Sequence, residues 1–393
     1  PAGESIRLRV NGDSMPAEKV DRSDDGSFTI EFPTELAVQG INRLEVLPGT
    51  GSSGSLSASV VSMRLVVEYR PQYSFEDIVI PAASASEPRR AFSAFHGLEY
   101  IDKGATAWTK NRQCVACHTN ASYMVTRPAL TPSAGKPPRE MRDFYVAELG
   151  KYQKMKRDKL RSGIRPTQVA YVAAGLAEWD AHVSRVLSVD TNSALDLMFK
   201  VQGDKGDWAN TTCWPPFESS NYQSTTVAAL AAATAPGWLE KAEQNETLKA
   251  GVEKMKSYLR ATPPPHDYGK LLLLWTATRI PDVLESDAKK QEIVDMIWSH
   301  QQVDGGWSIR SFSDPDNWGK GSRADKLRAE PEFTAPASDG HQTGLCVMVL
   351  RDAGVPAQDP RIQKAVVWLL SNQRESGRWW TRSLNTDSYH FIT

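Results

Sequence analysis

Three phrases of one form constrain the fold of this chain more than any other feature. Each follows a predicted helix and reads Q-x-x-x-G-x-W: they run from Gln202 to Trp208, from Gln301 to Trp307 and from Gln373 to Trp379. Glycine ends a helix where a positive φ is needed, and the Gln amide and Trp ring are suited to cover the exposed helix end. The repetition predicts helical units that stack on one another.

A second, more apolar helix belongs to each unit. The segments 222–233, 266–275 and 341–350 are small and apolar around most of their circumference. A helix that is apolar on all sides is buried, so we expect pairs of one inner and one outer helix. The predicted helices span roughly 89–108, 119–131, 138–160, 166–182, 184–202, 221–235, 240–260, 267–280, 284–302, 340–353 and 360–372.

The first 80 residues have a different period. Apolar and polar residues alternate over 5–10, 27–32, 41–46 and 61–69, and turn signals such as Asn11-Gly12 separate these segments. We therefore predict a mostly α chain with a small β-sandwich-like domain at 1–80, complete or partial, a linker at 81–88 and a helical domain at 89–393. Segment 1–80 loosely resembles the closing half of a galactose-binding-like jelly roll. That resemblance implies glycan binding, with a purely structural domain as the alternative.

The run Cys114-Val115-Ala116-Cys117-His118 is the attachment sequence of a c-type haem. The two thiols would form thioethers with one covalent haem c, and His118 would be the proximal iron ligand. A zinc site needs a second Cys/His pair, but Cys213 and Cys346 are isolated, and they either pair or stay as buried thiols. A thioredoxin-like redox pair needs a βαβ context, whereas the flanking sequence reads as helix–loop–helix.

The starts of the inner helices supply the candidates for further site residues. If the pairs form a ring, these starts meet at one mouth, beside the haem. We expect His341 or His266 as the distal ligand or acid/base group, and Tyr222 as a further catalytic candidate. His390 and Met124 are the other candidate distal ligands, and Tyr123 and Thr167 are also expected at the mouth. Arg127 is the candidate partner of a haem propionate. Each of these residues has an ordinary structural role as its alternative.

The repeated phrases resemble the QW repeats of the squalene–hopene cyclase and prenyltransferase superfamily, over roughly 89–393. The resemblance implies an (α/α) toroid whose inner helices line a central cavity, with one more inner helix after Thr393. A toroid of this kind with CxxCH near its start is similar to uncharacterised secreted haem-c proteins of planctomycete-like bacteria. The acidic D-x-D-D run of the cyclases is missing from the helical region, and no Cys joins Asp339 and His341 as in the prenyltransferase zinc site. We therefore expect neither of those two activities.

Charge and hydropathy narrow the function. The net charge is −1 without a basic cluster, so we expect no nucleic-acid partner. No apolar run is long enough to span a bilayer. Haem c is attached outside the cytoplasm, which predicts a periplasmic, surface or secreted bacterial protein. We expect electron transfer with a redox partner protein. The alternatives are a haem oxidoreductase acting on a small oxidant or on an apolar, terpenoid-like molecule in the cavity, and a structural module of a larger assembly. The sequence does not decide whether the chain is an enzyme.

Overall fold

The computed structural model describes residues 6–10, 13–14, 20–22, 28–30, 44–48, 84–212, 214–318, 323–333 and 335–385. The chain divides into two compact units, Pro1–Val66 and Val67–Thr393. The described residues are mostly helical, which confirms the predicted class. Within these ranges, no helix has the length and apolar character needed to cross a bilayer.

The first unit contains short antiparallel strands. Strand β1 pairs with β2 and β5 in a sheet of order β2-β1-β5, and β3 pairs with β4. Three of the four alternating segments contain a strand, and the fourth, 61–69, lies outside the described residues. The β-sandwich therefore stays a prediction. The strands are β1 (Ile6–Val10), β2 (Asp13–Ser14), β3 (Val20–Arg22), β4 (Phe28–Ile30) and β5 (Leu44–Pro48).

The second unit is built of helices whose ends lie close to the predicted ones. Short π and 3-10 turns join several of them, including a π turn at Cys117–Ala121. The helices are α1 (Ala94–Arg112), α2 (Ser122–Thr126), α3 (Thr131–Ala134), α4 (Arg139–Gln153), α5 (Arg157–Leu160), α6 (Arg165–Trp179), α7 (Val189–Lys200), α8 (Asn221–Thr234), α9 (Trp238–Ala242), α10 (Glu246–Ala261), α11 (Asp267–Ala277), α12 (Asp287–Ser299), α13 (Arg323–Arg328), α14 (Gly340–Asp352) and α15 (Pro360–Asn372).

Inner and outer helices differ in how much of their surface is buried. In α6 every residue from Pro166 to Trp179 except Gln168 is buried. In the outer helix α15, by contrast, the buried residues are Ile362, Ala365 and Trp368. That spacing of three residues places them on one face, while the opposite face meets solvent. Burial thus follows the amphipathic pattern from which the paired helices were predicted.

The three QW phrases make the same hydrogen bonds. In each, the Gln Nε2 donates to the glycine carbonyl four residues later, at 3.1 Å for Gln202, 2.8 Å for Gln301 and 2.8 Å for Gln373. The indole Nε1 donates to a carbonyl ten residues earlier in the preceding helix. The side-chain amides of Gln202, Gln301 and Gln373 also donate to the backbone of another helix or its cap. Their acceptors are the carbonyls of Gly251, Arg361 and Ser93 respectively.

The third phrase contacts the start of α1. Gln373 Nε2 donates to the Ser93 carbonyl at 2.9 Å, and Gln373 Oε1 accepts from the Ser93 amide at 2.6 Å. Gly377 has φ +95°, and a Cβ built on it would lie 2.0 Å from the His96 carbonyl oxygen. Glu87, in the predicted linker, accepts a hydrogen bond from Arg378 Nε at 2.8 Å. The end of α15 and the start of α1 are therefore packed together across 280 residues.

Candidate functional site

The CxxCH turn lies between α1 and α2. Helix α1 ends at Gln113, whose φ of 50° breaks the helical path just before Cys114. The buried Asn120 side chain then holds the turn. Its Oδ1 accepts from the Ala116 amide at 2.8 Å, and its Nδ2 donates to the Cys114 carbonyl at 3.0 Å and to Thr109 Oγ1 at 3.1 Å. The turn is thus closed by a side chain that the motif itself does not contain.

Neither thiol of the turn forms a disulfide. Cys114 is half-buried and Cys117 is buried. Burial is the largest cause that raises the pKa of the Cys114 thiol. Gln168 of α6 donates through Nε2 to the Val115 carbonyl at 3.0 Å, which fixes the two residues between the thiols against an inner helix. The thiols are therefore presented from a backbone that is anchored on both sides.

His118 is buried between two indole rings. Its ring centroid lies 5.1 Å from that of Trp108, edge to face, and 4.7 Å from that of Trp214. Burial lowers the pKa of His118 to about 4, so the imidazole is neutral at physiological pH. Its Nδ1 lies 3.1 Å from Thr119 Oγ1. A neutral imidazole with its Nδ1 hydrogen-bonded is the state in which histidine binds a metal through Nε2.

The donor set fits a haem held by two thioethers and one imidazole. Space beside the imidazole is taken by the indole of Trp214. This residue belongs to a loop held by hydrogen bonds from the Glu218 amide to the Trp214 carbonyl, at 3.0 Å, and from Tyr171 to the Phe217 carbonyl, at 3.1 Å. The residues that would hold the group are thus Cys114, Cys117 and His118, with the Trp214 loop bordering the imidazole.

Arg127 has protein acceptors for its guanidinium. It is fully buried, and its Nε donates to Asp102 Oδ1 at 3.0 Å. Its Nη1 and Nη2 donate to the carbonyls of Gly135 and Ala134 at 2.9 and 3.2 Å. Tyr123 also donates to Asp102 Oδ1, at 2.8 Å. Three of the five N–H groups of Arg127 thus have protein acceptors, and the side chain has no exposed surface at which to meet the expected haem propionate.

A cavity of about 320 Å³ lies among the inner helices. Helices α2, α6, α8, α11 and α14 each give it residues spaced three or four apart, and α1 completes the wall. This spacing is one face of a helix, so each helix turns a single stripe toward a shared space. The wall is made of Tyr100, Ile101, Ala105, Thr119, Ser122, Tyr123, Val125, Thr126, Tyr171, Ala174, Glu178, Phe217, Gln223, Thr226, Val227, Leu230, Ala231, Tyr268, Leu272, Trp275, Gly340, His341, Gly344, Leu345 and Met348.

The structure brings His341 and Tyr123 to this cavity, as expected for inner-helix starts. His341 Nε2 lies 3.5 Å from Tyr268 Oη, and its ring is 5.2 Å from that of Phe217. Tyr222 points elsewhere: its hydroxyl donates to the Leu259 carbonyl of the outer helix α10 at 3.2 Å. Its neighbour Gln223 lines the cavity instead.

His266 belongs to a different depression. Its Nδ1 accepts from the Gly269 amide at 3.0 Å, so it caps α11, and its ring lies 4.9 Å from that of Trp318. It lines a second pocket with Asp267 and Arg310. Burial lowers the pKa of His266 to about 4. The two histidines expected at one mouth thus line different pockets, and the Tyr268 ring lies 6.2 Å from each of them.

The other residues singled out in the sequence that the structure describes make ordinary packing or hydrogen-bond contacts. Met124 is fully buried, and a Cβ placed on Gly175 would lie 2.8 Å from the Met124 Cβ, so this methionine packs tightly against α6. Thr167 donates to the Ala209 carbonyl at 3.2 Å. Cys346 is buried beside Gln342, whose Nε2 lies 3.3 Å from its sulfur. His390 and Cys213 lie outside the described residues. In the part of the chain that the structure describes, three or more His, Cys, Asp or Glu residues never gather as a metal-binding group.

The far end of the cavity carries a buried carboxylate. Glu178 accepts from Arg279 Nη1 at 2.9 Å, and its Oε2 lies 3.2 Å from His182 Nε2. Burial opposes ionisation of Glu178, but the hydrogen bonds and charges of His182 and Arg279 together lower its pKa. This carboxylate has its partners in the protein and closes the cavity at the carboxyl ends of the helices.

Comparison with known proteins adds no assignment to this geometry. No protein-family model matches the chain. A search of the curated proteins also finds no match. The sequence analysis did not identify Asn120, which holds the turn, or Gln223, which lines the cavity. Neither residue belongs to a recognised sequence motif.

Proposed function

We propose that the chain is an extracytoplasmic c-type haem protein that transfers electrons. The observation that carries the proposal is the CxxCH turn itself: two thiols outside any disulfide and a neutral, buried imidazole are presented from one anchored stretch of backbone. When bound, haem c supplies one-electron redox chemistry. The protein contributes Cys114 and Cys117 for attachment, His118 for the iron, and Asn120 to hold the turn in shape.

Exposure of the turn's first residues favours electron transfer to a partner protein. Arg112 and Gln113 are exposed and Cys114 is half-buried, whereas Cys117 and His118 are buried. One edge of the attached group would therefore lie near the surface, where a partner can approach it. The indoles of Trp108 and Trp214 would keep water away from the imidazole.

We further propose that the helices of the second unit form an (α/α) toroid. Support comes from the cavity, whose wall draws one stripe from each of six helices, α1 included. Further support comes from the third QW phrase, which bonds to Ser93 at the start of α1. In this arrangement α1 joins the two ends of the ring.

A second candidate function is oxidation of a molecule held in the cavity. Thr119, directly after His118, lines the cavity, and so does Phe217, three residues after the Trp214 that contacts His118. The same two short segments therefore border both places. An oxidoreductase would need this proximity, whereas an electron carrier would not.

The proposal is tested by producing the full chain in a bacterial periplasm with haem-attachment enzymes. We expect the intact mass of the chain plus one haem, and a c-type absorption spectrum in alkaline pyridine. The variant Cys114→Ala/Cys117→Ala should carry no covalent haem, while Cys346→Ser, the control, should carry it. A wild-type chain that holds zinc or no cofactor would overturn the proposal. Spectral changes on adding CO or cyanide would favour the oxidoreductase, and a low-spin spectrum that ignores both would favour the electron carrier.

A further inference from the structure

Segment 151–165, which runs from the end of α4 through α5 to the start of α6, is strongly basic. Seven of its 15 residues are Lys or Arg and one, Asp158, is acidic, whereas the whole chain has 46 Lys and Arg against 47 Asp and Glu. This segment is therefore a basic cluster, contrary to the expectation drawn from the net charge. We call its cationic side chains the basic surface: Lys151, Lys154, Lys156, Arg157, Lys159, Arg161 and Arg165.

The basic surface is accessible to solvent and keeps most of its charge. Five of its seven side chains are exposed, and Arg161 and Arg165 are half-buried. Glu148 accepts from Lys151 at 2.5 Å, and Asp204 accepts from Arg161 at 3.1 Å. Seven positive charges against Asp158 and these two carboxylates leave a net charge of +4.

Helices α6 and α1 each place an arginine beside the CxxCH turn. Arg165 begins α6, and Gln168, about one helical turn later, donates to the Val115 carbonyl at 3.0 Å. At the end of α1, the Arg112 guanidinium lies 5.8 Å from the centroid of the Trp108 ring, whose Nε1 donates to the carbonyl of the first cysteine at 3.3 Å. Both arginines thus stand next to residues that contact the turn.

The end of α4 also lies close to the turn. Burial and the negative charge of Glu148 raise the pKa of the Cys114 thiol, and Lys151 bonds to that same carboxylate. Burial and the charges of Glu148 and Cys114 raise the pKa of Tyr152, while the charge of Arg165 opposes this shift. Cys114, Tyr152 and Arg165 are therefore near enough to feel one another's charge.

These positions put positive charge around the accessible part of the site. Cys114 is half-buried and Arg112 and Lys110 are exposed, whereas Cys117 and His118 are buried. A cluster of one sign attracts a partner of the opposite sign, speeds its approach and sets its orientation. A partner that exchanges electrons has to bring its own redox centre close to the haem, and nucleic acid has no such centre. A protein partner with an acidic surface fits both requirements.

We propose that the basic surface, together with Lys110 and Arg112, docks an acidic surface of the redox partner protein beside Cys114. The proposal rests on the electron-transfer function proposed above. In the complex one electron passes between the partner's redox centre and the haem held at the turn, and no bond is formed or broken. Binding of an acidic chain does not itself require haem, so it can fail while haem attachment stands, and the reverse.

The first test measures binding of fluorescein-labelled deca-glutamate to the full-length chain by fluorescence anisotropy. We expect binding at about 10 mM salt that weakens at least about tenfold at about 150 mM, where charges are screened over about 8 Å. The variant Lys154→Glu/Lys156→Glu/Lys159→Glu should weaken binding by about tenfold or more. Intact mass reports the haem content of the same samples. No binding to the wild-type chain, whose net charge is −1, overturns the proposal even if the variant fails to fold.

The matched control reverses three lysines that are exposed on other helices, α12, α13 and α15. Lys289→Glu/Lys326→Glu/Lys364→Glu changes the net charge by the same amount and should keep the affinity within about twofold. Equal weakening by both triple variants would show that net charge alone governs binding, and would overturn the proposal. So would displacement of the peptide by a ten-thymidine oligonucleotide at far lower concentration than by unlabelled deca-glutamate, because the surface would then be a nucleic-acid site.

The second test places the basic surface relative to the haem. The reduced, haem-loaded chain is oxidised in a stopped-flow instrument by ferricyanide, an anion, or by tris(phenanthroline)cobalt(III), a cation. We expect the Lys154→Glu/Lys156→Glu/Lys159→Glu variant to react several-fold more slowly with ferricyanide and faster with the cobalt complex, while the control triple variant reacts as the wild type. Rates that the first variant leaves unchanged with both oxidants would show that the surface lies away from the site of electron exchange, and would overturn the proposal.

Discussion

The CxxCH turn and the central cavity differ in how far apart in the chain their residues lie. The turn is made within a few residues, from Gln113 to Asn120, by one helix break and one asparagine side chain. The cavity is assembled from six helices that are far apart in the chain. At the turn, the imidazole is enclosed by indoles, whereas the cavity keeps open space between its helices. The CxxCH turn can therefore be recognised in the sequence, although its imidazole is closely surrounded. The cavity is open, but no sequence pattern identifies it.

The largest expected effect concerns the ion pair behind the cavity wall. Arg127→Met removes the only cation bonded to Asp102 in the described structure and leaves a buried carboxylate whose pKa burial already raises. We expect the free energy of unfolding to fall by about 4 kcal/mol in urea denaturation. Arg139→Met, at an exposed ion pair with Asp143, is the control and should change it by less than about 1 kcal/mol. If Arg127 mattered only for a haem propionate, the haem-free chain would lose no stability.

Acid should destabilise the turn before it affects the cavity wall. Because burial lowers the pKa of His118 from 6.5 to about 4, the unfolded chain binds more protons than the native chain between those two pH values. The free energy of unfolding therefore falls as the pH drops from about 6.5 to 4, by roughly 3 kcal/mol for this residue.

In haem-free protein, the variant His118→Asn should remove the part of this decrease in the free energy of unfolding that comes from His118. His266 contributes a second share of the same sign, since its pKa is also lowered to about 4. Denaturation at several pH values measures both effects. A profile for His118→Asn that matches the wild type would contradict the burial of this imidazole.

Closure of the ring is tested at two glycines with the same backbone strain. Gly377 and Gly354 have φ of +95° and +98°, but a Cβ meets the His96 carbonyl only at Gly377, and meets nothing within 4 Å at Gly354. Both alanine variants lose the backbone freedom of glycine. We expect Gly377→Ala to lower the free energy of unfolding by about 2 kcal/mol more than Gly354→Ala does, measured by urea denaturation. Equal costs would mean that the third QW phrase does not pack on α1.

The smallest expected effect concerns the asparagine that holds the CxxCH turn. Asn120→Ala removes the three hydrogen bonds that hold the turn, so we expect a loss of about 2 kcal/mol in stability and less haem attached per chain. The partly exposed Asn192 provides the control, and Asn192→Ala should change neither readout. Wild-type stability and wild-type haem attachment in Asn120→Ala would contradict the role of this side chain in holding the turn.

Much of the second unit was predictable because the spacing of apolar residues identifies its helices. The spacing of apolar residues places α6 inside and α15 outside. The prediction that glycine ends the helices was wrong, because α7, α12 and α15 end at Lys200, Ser299 and Asn372, and the positive-φ glycines lie in the turns that follow. The sequence also places Cys114, Cys117 and His118 on one short stretch of chain, and the haem that they would hold stays a prediction. Tyr222 was a wrong choice for the mouth, because a shift of one residue turns a helical side chain by about 100°, and Gln223 faces the cavity in its place.

By itself the sequence determined which segments are helical, which faces are buried and where two thiols and an imidazole stand together. These properties depend on residues within a few turns of one another. Only the tertiary structure decided that the third phrase bonds to Ser93, that His341 and His266 lie in separate pockets, and that Gln223 and Trp275 share one cavity. The physical reason is that such meetings depend on how whole helices pack across hundreds of residues, and no local pattern encodes that packing.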